Sequence, residues 1–164
     1  MKSLTLLRHG ASSFDFQGTN DLHRPLSETG VKEAKLMARS IAKLKSIPDA
    51  IITSNANRTM HTARVIIEEN NWQSMCLKND SELYLASLKV LIEKLQEPTK
   101  SIRHILLINH NPGLSDLANY LVPSFVTFMP TCSYLSINFR EHILNLNLRP
   151  EIVNYEYDSP DQYT

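Results

Sequence analysis

Leu4-Thr5-Leu6-Leu7-Arg8-His9-Gly10 reads as a short apolar strand that ends in an arginine, a histidine and a glycine. A buried strand finishing this way presents a cation and an imidazole on a tight turn. In open α/β sheets, ligands sit outside the C-terminal ends of the strands. The question for the rest of the chain is what the other strand ends bring to the same rim.

Downstream, elements of two periodicities alternate. Asp15 to Arg24 is polar and holds Gly18, Asn20 and Asp21, the composition of a loop. Ser27 has the chemistry of a helix N-cap, with Glu28 in the first turn where negative charge is favoured. Ala34, Met37, Ile41 and Leu44 then recur at three- and four-residue steps, which predicts an amphipathic helix stopped by Pro48. Ala50-Ile51-Ile52-Thr53 predicts a second strand. Ser54 is placed to cap a second helix, with Ala63, Ile66 and Ile67 facing inward. Met75-Cys76-Leu77 reads as a brief third strand, and Ser87 to Glu97 as a third helix closed by Pro98.

Ile105-Leu106-Leu107-Ile108 is a continuous apolar run, as expected of a strand covered on both faces. A short helix follows from about Leu114 to Leu121. Tyr134 to Phe139 and Ile143 to Leu148 each alternate around Arg140-Glu141-His142, which predicts an edge hairpin. Residues 155–164 read as a polar surface tail. The apolar connection from Pro123 to Pro130, with Phe125, Val126, Phe128 and Met129, reads first as core packing and second as a partner surface. The pattern predicts a three-layer α/β/α sandwich: a largely parallel mixed sheet with an antiparallel edge hairpin. The first strands are expected side by side. One domain is expected over 1–158, with 159–164 as the tail.

Lysine plus arginine and aspartate plus glutamate both total 17. No global field recruits nucleic acid or an anionic membrane, so affinity for an anion must be local. Cys76 and Cys132 match no metal or redox spacing and read as reduced, buried packing residues. The first residues are too short an apolar run for a signal sequence, and no window has the length of a membrane span. The expectation is a soluble cytoplasmic chain that binds neither nucleic acid nor membrane, favours the monomer and carries no cofactor.

Arg8 and His9 follow the first strand, and Arg58 follows the second in a helical first turn. Glu82 follows the third strand and His110 follows the fourth. Neither a metal-ligand spacing nor a glycine-rich phosphate loop is present. Two arginines and two imidazoles without a metal suit a phosphoryl group: guanidinium forks match its oxygens, and a neutral imidazole can attack phosphorus. An arginine in a helical first turn faces an unfavourable dipole, a placement that an anion there would explain. His23, His61, His104 and His142 have no such company and read as structural. Asn109, Asn111, Gly10 and Gly113 read as turn-shaping residues.

Four motifs in order, Leu6-Arg8-His9-Gly10, Arg24-Pro25-Leu26-Ser27-Glu28-Thr29-Gly30, Ser54-Asn55-Ala56-Asn57-Arg58-Thr59 and Asn109-His110-Asn111-Pro112, resemble the histidine phosphatase superfamily. Within it the chain is most similar to the small SixA-like phosphohistidine phosphatases. The resemblance implies a phosphoglycerate-mutase-like fold with His9 as a transiently phosphorylated nucleophile. It also implies that Arg8, Arg58 and His110 bind the phosphoryl oxygens, and it makes Arg24 a second-tier substrate contact. Ser12 and Ser13 are weaker candidates. Physical logic agrees: His9 must be unprotonated, its second nitrogen should be held by a backbone carbonyl, and fixed cations suit a loose transition state.

Related enzymes commonly carry a glutamate after the tyrosine of the Leu83-Tyr84 region as proton donor. Leu85 stands there in this chain. Glu82, preferred over Asp80, is the available substitute, and a solvated loop carboxylate is an equally weighted reading of it. A leaving imidazole needs less protonation than an alkoxide, so a missing acid favours phosphohistidine. The expected activity is a metal-independent phosphatase acting on phosphohistidine of a protein, such as a phosphotransfer domain. The rivals are a phosphatase of small phosphate monoesters or anhydrides and a non-catalytic phosphate-reading module. The module predicts loss of at least one of Arg8, His9, Arg58 and His110, all of which are present.

Overall fold

A computed structural model of the chain describes residues 1–13, 20–44, 47–73, 76–96, 101–125, 128–142 and 145–163. Six strands form one sheet in the order β3-β2-β4-β1-β5-β6. They are β1 Ser3–Arg8, β2 Ala50–Ser54, β3 Cys76–Asp80, β4 His104–Asn109, β5 Tyr134–Phe139 and β6 Ile152–Asp158. β1 pairs parallel with β4, β4 with β2, and β2 with β3; β5 runs antiparallel to β1, and β6 to β5. The helices are α1 Glu28–Ile41, α2 Asn57–Glu69, α3 Leu88–Gln96 and α4 Gly113–Leu121.

Strand alternation builds two cores. Leu4, Leu6, Ile105 and Leu107 face α3 and α4 through Leu91, Leu95, Leu114 and Leu117. Leu7, Leu106 and Ile108 face α1 and α2 through Ala34, Met37, Ala63 and Ile66. All four β-branched or leucine positions from Ile105 to Ile108 are essentially inaccessible, which explains the unbroken apolar run. His104 sits in the same strand as a structural histidine, its Nε2 2.8 Å from Thr5 Oγ1.

Sheet order departs from the expected adjacency of β1 and β2, because β4 lies between them. That insertion carries His110 into the space between the ends of β1 and β2. α1 is capped by Ser27, whose Oγ accepts from Gly30 N at 3.0 Å. It ends at Ile41, well before Pro48, and Leu44 packs on the core from the turn beyond. Gly30 has no room for a side chain: a Cβ would lie 2.0 Å from the Ala11 carbonyl oxygen. This close approach draws the start of α1 against the turn that follows His9.

The edge hairpin is present with a different second strand. β5 pairs with β6, and Leu146–Leu148 is a 3-10 turn; residues 143 and 144 lie outside the described residues. Nor is the chain from Tyr155 a surface tail. Asp158 is buried and accepts hydrogen bonds from Ser40 of α1, from Ser159 N at 2.8 Å and from Tyr163 Oη at 2.8 Å. These bonds fasten the end of the chain to α1 and offset the cost of burying the carboxylate. Cys132 is buried as expected, whereas Cys76 is exposed at the start of β3; both are free thiols. Strand β3 runs on to Asp80, and Met75, Glu97, Pro98 and residues 15–19 lie outside the described residues.

Candidate active site

The C-terminal ends of β1, β2 and β4 open onto a cavity of about 490 Å³ lined by Arg8, His9, Arg24, Arg58 and His110, together with Asp21. The strand ends thus bring together Arg8, His9, Arg58 and His110, and the segment before α1 adds Arg24, the fifth basic candidate read from the sequence. Arg8 closes β1, and its Nη1 donates to Met129 O at 2.9 Å. Its Nε is buried without a partner. The guanidinium lies 5.5 Å from the centre of the Phe128 ring, so Phe128, 63 % exposed, flanks the cavity instead of filling the core. Phe125 and Met129 of the same connection do pack inward; Val126 lies outside the described residues.

His9 Nδ1 is 2.8 Å from Gly10 O, so Nδ1–H donates to that carbonyl and Nε2 keeps its lone pair. Arg58, in the first turn of α2 and only 4 % exposed, donates from Nε to that Nε2 at 3.3 Å. Burial first, then the charges of Arg58, Arg8 and Arg24, hold the His9 pKa down to about 4 against the ordinary 6.5. His110 is lowered to about 3, again by burial, then by His9 and Arg58. The two rings meet edge-on, 5.1 Å apart. His110 Nδ1 is buried without a partner. An electrically neutral imidazole, its lone pair engaged only by a long bond from Arg58 Nε, therefore lies among guanidinium groups, one of which, Arg8, has a buried nitrogen without an acceptor. That arrangement accepts an anion and can attack it.

Ser54 does not cap α2, whose N-cap is Ala56 without a side-chain bond. Its hydroxyl instead lies 2.7 Å from His110 Nε2. With Ser54 donating, His110 keeps Nδ1–H as its remaining donor. Gly113 sets the turn after His110: a Cβ there would lie 2.0 Å from Ala86 O. Asn111 fixes the same turn by donating to Met129 O at 2.8 Å.

Arg24 donates to Ser13 O at 3.1 Å, Ser12 Oγ at 2.7 Å and Asp21 Oδ1 at 2.8 Å. Asp21 is a functional candidate that the sequence reading took for a loop residue. Its Oδ2 accepts from Arg58 Nη2 at 2.9 Å and from Tyr84 Oη. The Tyr84 hydrogen bond first, then the two arginines, draw its pKa down to about 2. Glu82 is not brought to the cavity. It pairs with Lys94 of α3, as does Asp80 at 2.9 Å, and its side chain is 68 % exposed. Asp21, the one carboxylate among the described lining residues, is thus ionised and unsuited to give up a proton. Among the described residues no group of three or more His, Cys, Asp or Glu is placed to hold a metal ion, and no helix is long and apolar enough to cross a membrane.

The depressed histidines make stability depend on pH. In the unfolded chain both titrate near 6.5; in the folded chain they stay neutral to about 4 and 3. Between these values the unfolded state binds more protons, so stability falls as pH drops below about 6.5. Thermal melting from pH 8 to pH 5 should show a falling Tm, with a shallower slope in His110→Gln. A Tm that is flat over that range contradicts buried neutral histidines.

Residues 4–84 match the model of the histidine phosphatase superfamily, branch 1. An uncharacterised chloroplastic protein of Arabidopsis thaliana is 28 % identical over 144 residues, 80 % of this chain and 64 % of that protein. A 2,3-bisphosphoglycerate-dependent phosphoglycerate mutase of Tropheryma whipplei is 37 % identical over 73 residues, 42 % of this chain and 32 % of the mutase. The chain thus spans less than two thirds of these relatives. The solved structure of the protein histidine phosphatase SixA complexed with tungstate superimposes with a TM-score of 0.81 at 21 % identity, covering 99 % of each chain. A mycobacterial glucosyl-3-phosphoglycerate phosphatase gives 0.62 at 16 %, covering 96 % of this chain and 97 % of that one. At such identities these likenesses show the shared phosphoglycerate-mutase-like fold.

Proposed function

We propose, from the premise that this chain belongs to the histidine phosphatase superfamily, that it is a phosphatase whose His9 is phosphorylated in each turnover. The observation that carries the reading is the state of His9: buried, neutral, tautomer fixed by Gly10 O, and Nε2 directed at Arg58. In this reading Nε2 attacks phosphorus, and the bond to the leaving group breaks with its electron pair going to that group. Arg8, Arg58 and His110 stabilise the equatorial oxygens, with Arg24 at the margin. Water then attacks the phosphohistidine, releases phosphate and returns His9.

The preferred substrate is phosphohistidine on a protein. Two features support it. The cavity is open, which suits a phosphoryl group borne by a macromolecule. Among the described residues its lining also contains no protonated carboxyl or imidazolium, because His9 and His110 are neutral, Asp21 is ionised and Glu82 faces Lys94. A leaving imidazole can depart with a proton it already carries, whereas an unactivated alkoxide needs one from the protein. The partner in this reading is a phosphorylated protein, and the chemistry needs no metal. The matched mutase favours small phosphate esters as the second reading.

The two readings separate in one assay of phosphate release. A histidine-phosphorylated phosphotransfer protein is compared with a panel of alkyl phosphates and anhydrides. The first reading expects kcat/KM at least about 100-fold higher for the phosphoprotein, the range that one general acid supplies. Turnover of the alkyl esters alone refutes it.

A further inference from the structure

In the site as it stands, both terminal nitrogens of Arg58 are engaged by a single residue. Nη1 donates to the Asp21 backbone oxygen at 2.7 Å, and Nη2 to Asp21 Oδ2 at 2.9 Å. Oδ1 of the same carboxylate holds Arg24 Nη1 at 2.8 Å. One carboxylate therefore bridges two arginines that line the cavity, while Tyr84 Oη adds a third donor to it. Those are the contacts expected of phosphoryl oxygens. By contrast, Arg8 Nε and His110 Nδ1 are buried without partners.

We infer that Asp21 is a specificity-determining residue: an internal anion that competes with free phosphate for Arg58 and Arg24. The inference rests on the reading of the cavity as a phosphoryl site. A phosphoryl group can take Arg58 Nη2 and Arg24 Nη1 only when the Asp21 carboxylate yields or shares them, and at close range the two anions repel. The side chain is 43 % exposed and has room to turn outward. The Asp21–His23 turn would stay in place, because Asn57 Nδ2 donates to His23 O at 2.8 Å.

Competition of this kind weakens every anion, but unequally in effect. Free phosphate has only the cavity to hold it. A phosphoryl group on a protein is also supported by its carrier's contacts outside the cavity. Asp21 thereby biases an open site toward carried phosphoryl groups and speeds departure of the product.

Binding of inorganic phosphate by calorimetry, with tungstate as a second probe, tests this without turnover. Asp21→Asn keeps the size and removes the charge; Asp21→Ala removes the competing carboxylate and leaves the backbone oxygen on Arg58 Nη1. Both are expected to bind phosphate at least about tenfold more tightly than the parent chain. Unchanged or weaker binding in the two folded variants overturns the inference and makes Asp21 a residue that merely orients the arginines. If Asp21→Asn does not fold, the Asp21→Ala titration decides alone by the same criterion. A phosphatase reading that fails shows separately, as phosphate release that survives His9→Ala, and leaves the titration result standing.

Discussion

His9→Ala is expected to lower phosphate release by at least about 10,000-fold, because it removes the bond-forming atom itself. Among the described residues no second nucleophile is placed to replace it. His110 is the nearest imidazole, with ring centres 5.1 Å apart, but its Nε2 faces Ser54 and its Nδ1 carries the proton when Ser54 donates. Water attack in the remaining arginine cage would retain electrostatic stabilisation yet lose the two-step route. The decisive measurement is the intermediate. Incubation with radiolabelled phosphoprotein and rapid quenching at alkaline pH should trap label on the parent chain and none on His9→Ala. A labelled variant, or one retaining a tenth of the parent rate, would exclude His9 as the nucleophile. The fold is expected to survive, since the His9 side chain contributes a local bond to Gly10 O and a long bond from Arg58 Nε, and the close approach of Gly10 to Gly30 depends on backbone.

Legibility in the sequence followed the range of the interactions involved. The strand before Arg8-His9, the apolar run of β4, the Ser27 cap and the face of α1 are local patterns, and each appears where its periodicity places it. That a backbone carbonyl holds the second nitrogen of His9 was also legible, though which nitrogen and which carbonyl were not. What escaped depends on contacts between distant segments. The pairing of β4 between β1 and β2 is a crossover choice that no window of sequence expresses. β6 carries its apolar residues among Asn154, Glu156 and Asp158, so it resembled a tail. Its pairing rests on β5, and its end on Ser40 more than a hundred residues earlier. Asp21 looked like turn chemistry because aspartate beside asparagine usually is; its role appears only when Arg58 and Tyr84 arrive. Ser54 had the composition of a cap but sits two residues too early, at the end of β2, where it meets His110. Glu82 was close in sequence to the cavity and is drawn away by Lys94. A signal for Asp21 did exist: an acidic residue three positions before Arg24 in a stretch otherwise supplying cations to an anion site.

Arg58→Lys is expected to reduce kcat by about 100- to 1,000-fold although the charge is preserved, the range found when one fixed transition-state donor is removed. The parent guanidinium makes three directed bonds at once: Nε to His9 Nε2, and Nη1 and Nη2 to Asp21. When a phosphoryl group displaces the Asp21 carboxylate, Nε releases the His9 Nε2 lone pair for attack on phosphorus, and the planar guanidinium can turn its freed donors to the phosphoryl oxygens. An ammonium group is a point charge on a flexible stem and cannot serve both directions. The burial of this side chain sharpens the difference, since a lysine in a site 4 % exposed must lose its hydration without the matching acceptors. The comparison with Arg58→Met separates charge from shape. If Lys restores most of the activity lost in Met, long-range attraction is what Arg58 supplies and the fork is incidental. If Lys and Met are similarly impaired while both bind phosphate, Arg58 works through directed bonds in the transition state. The second outcome is the one this geometry requires, because a lysine carrying the same charge has no planar set of donors to match the phosphoryl oxygens.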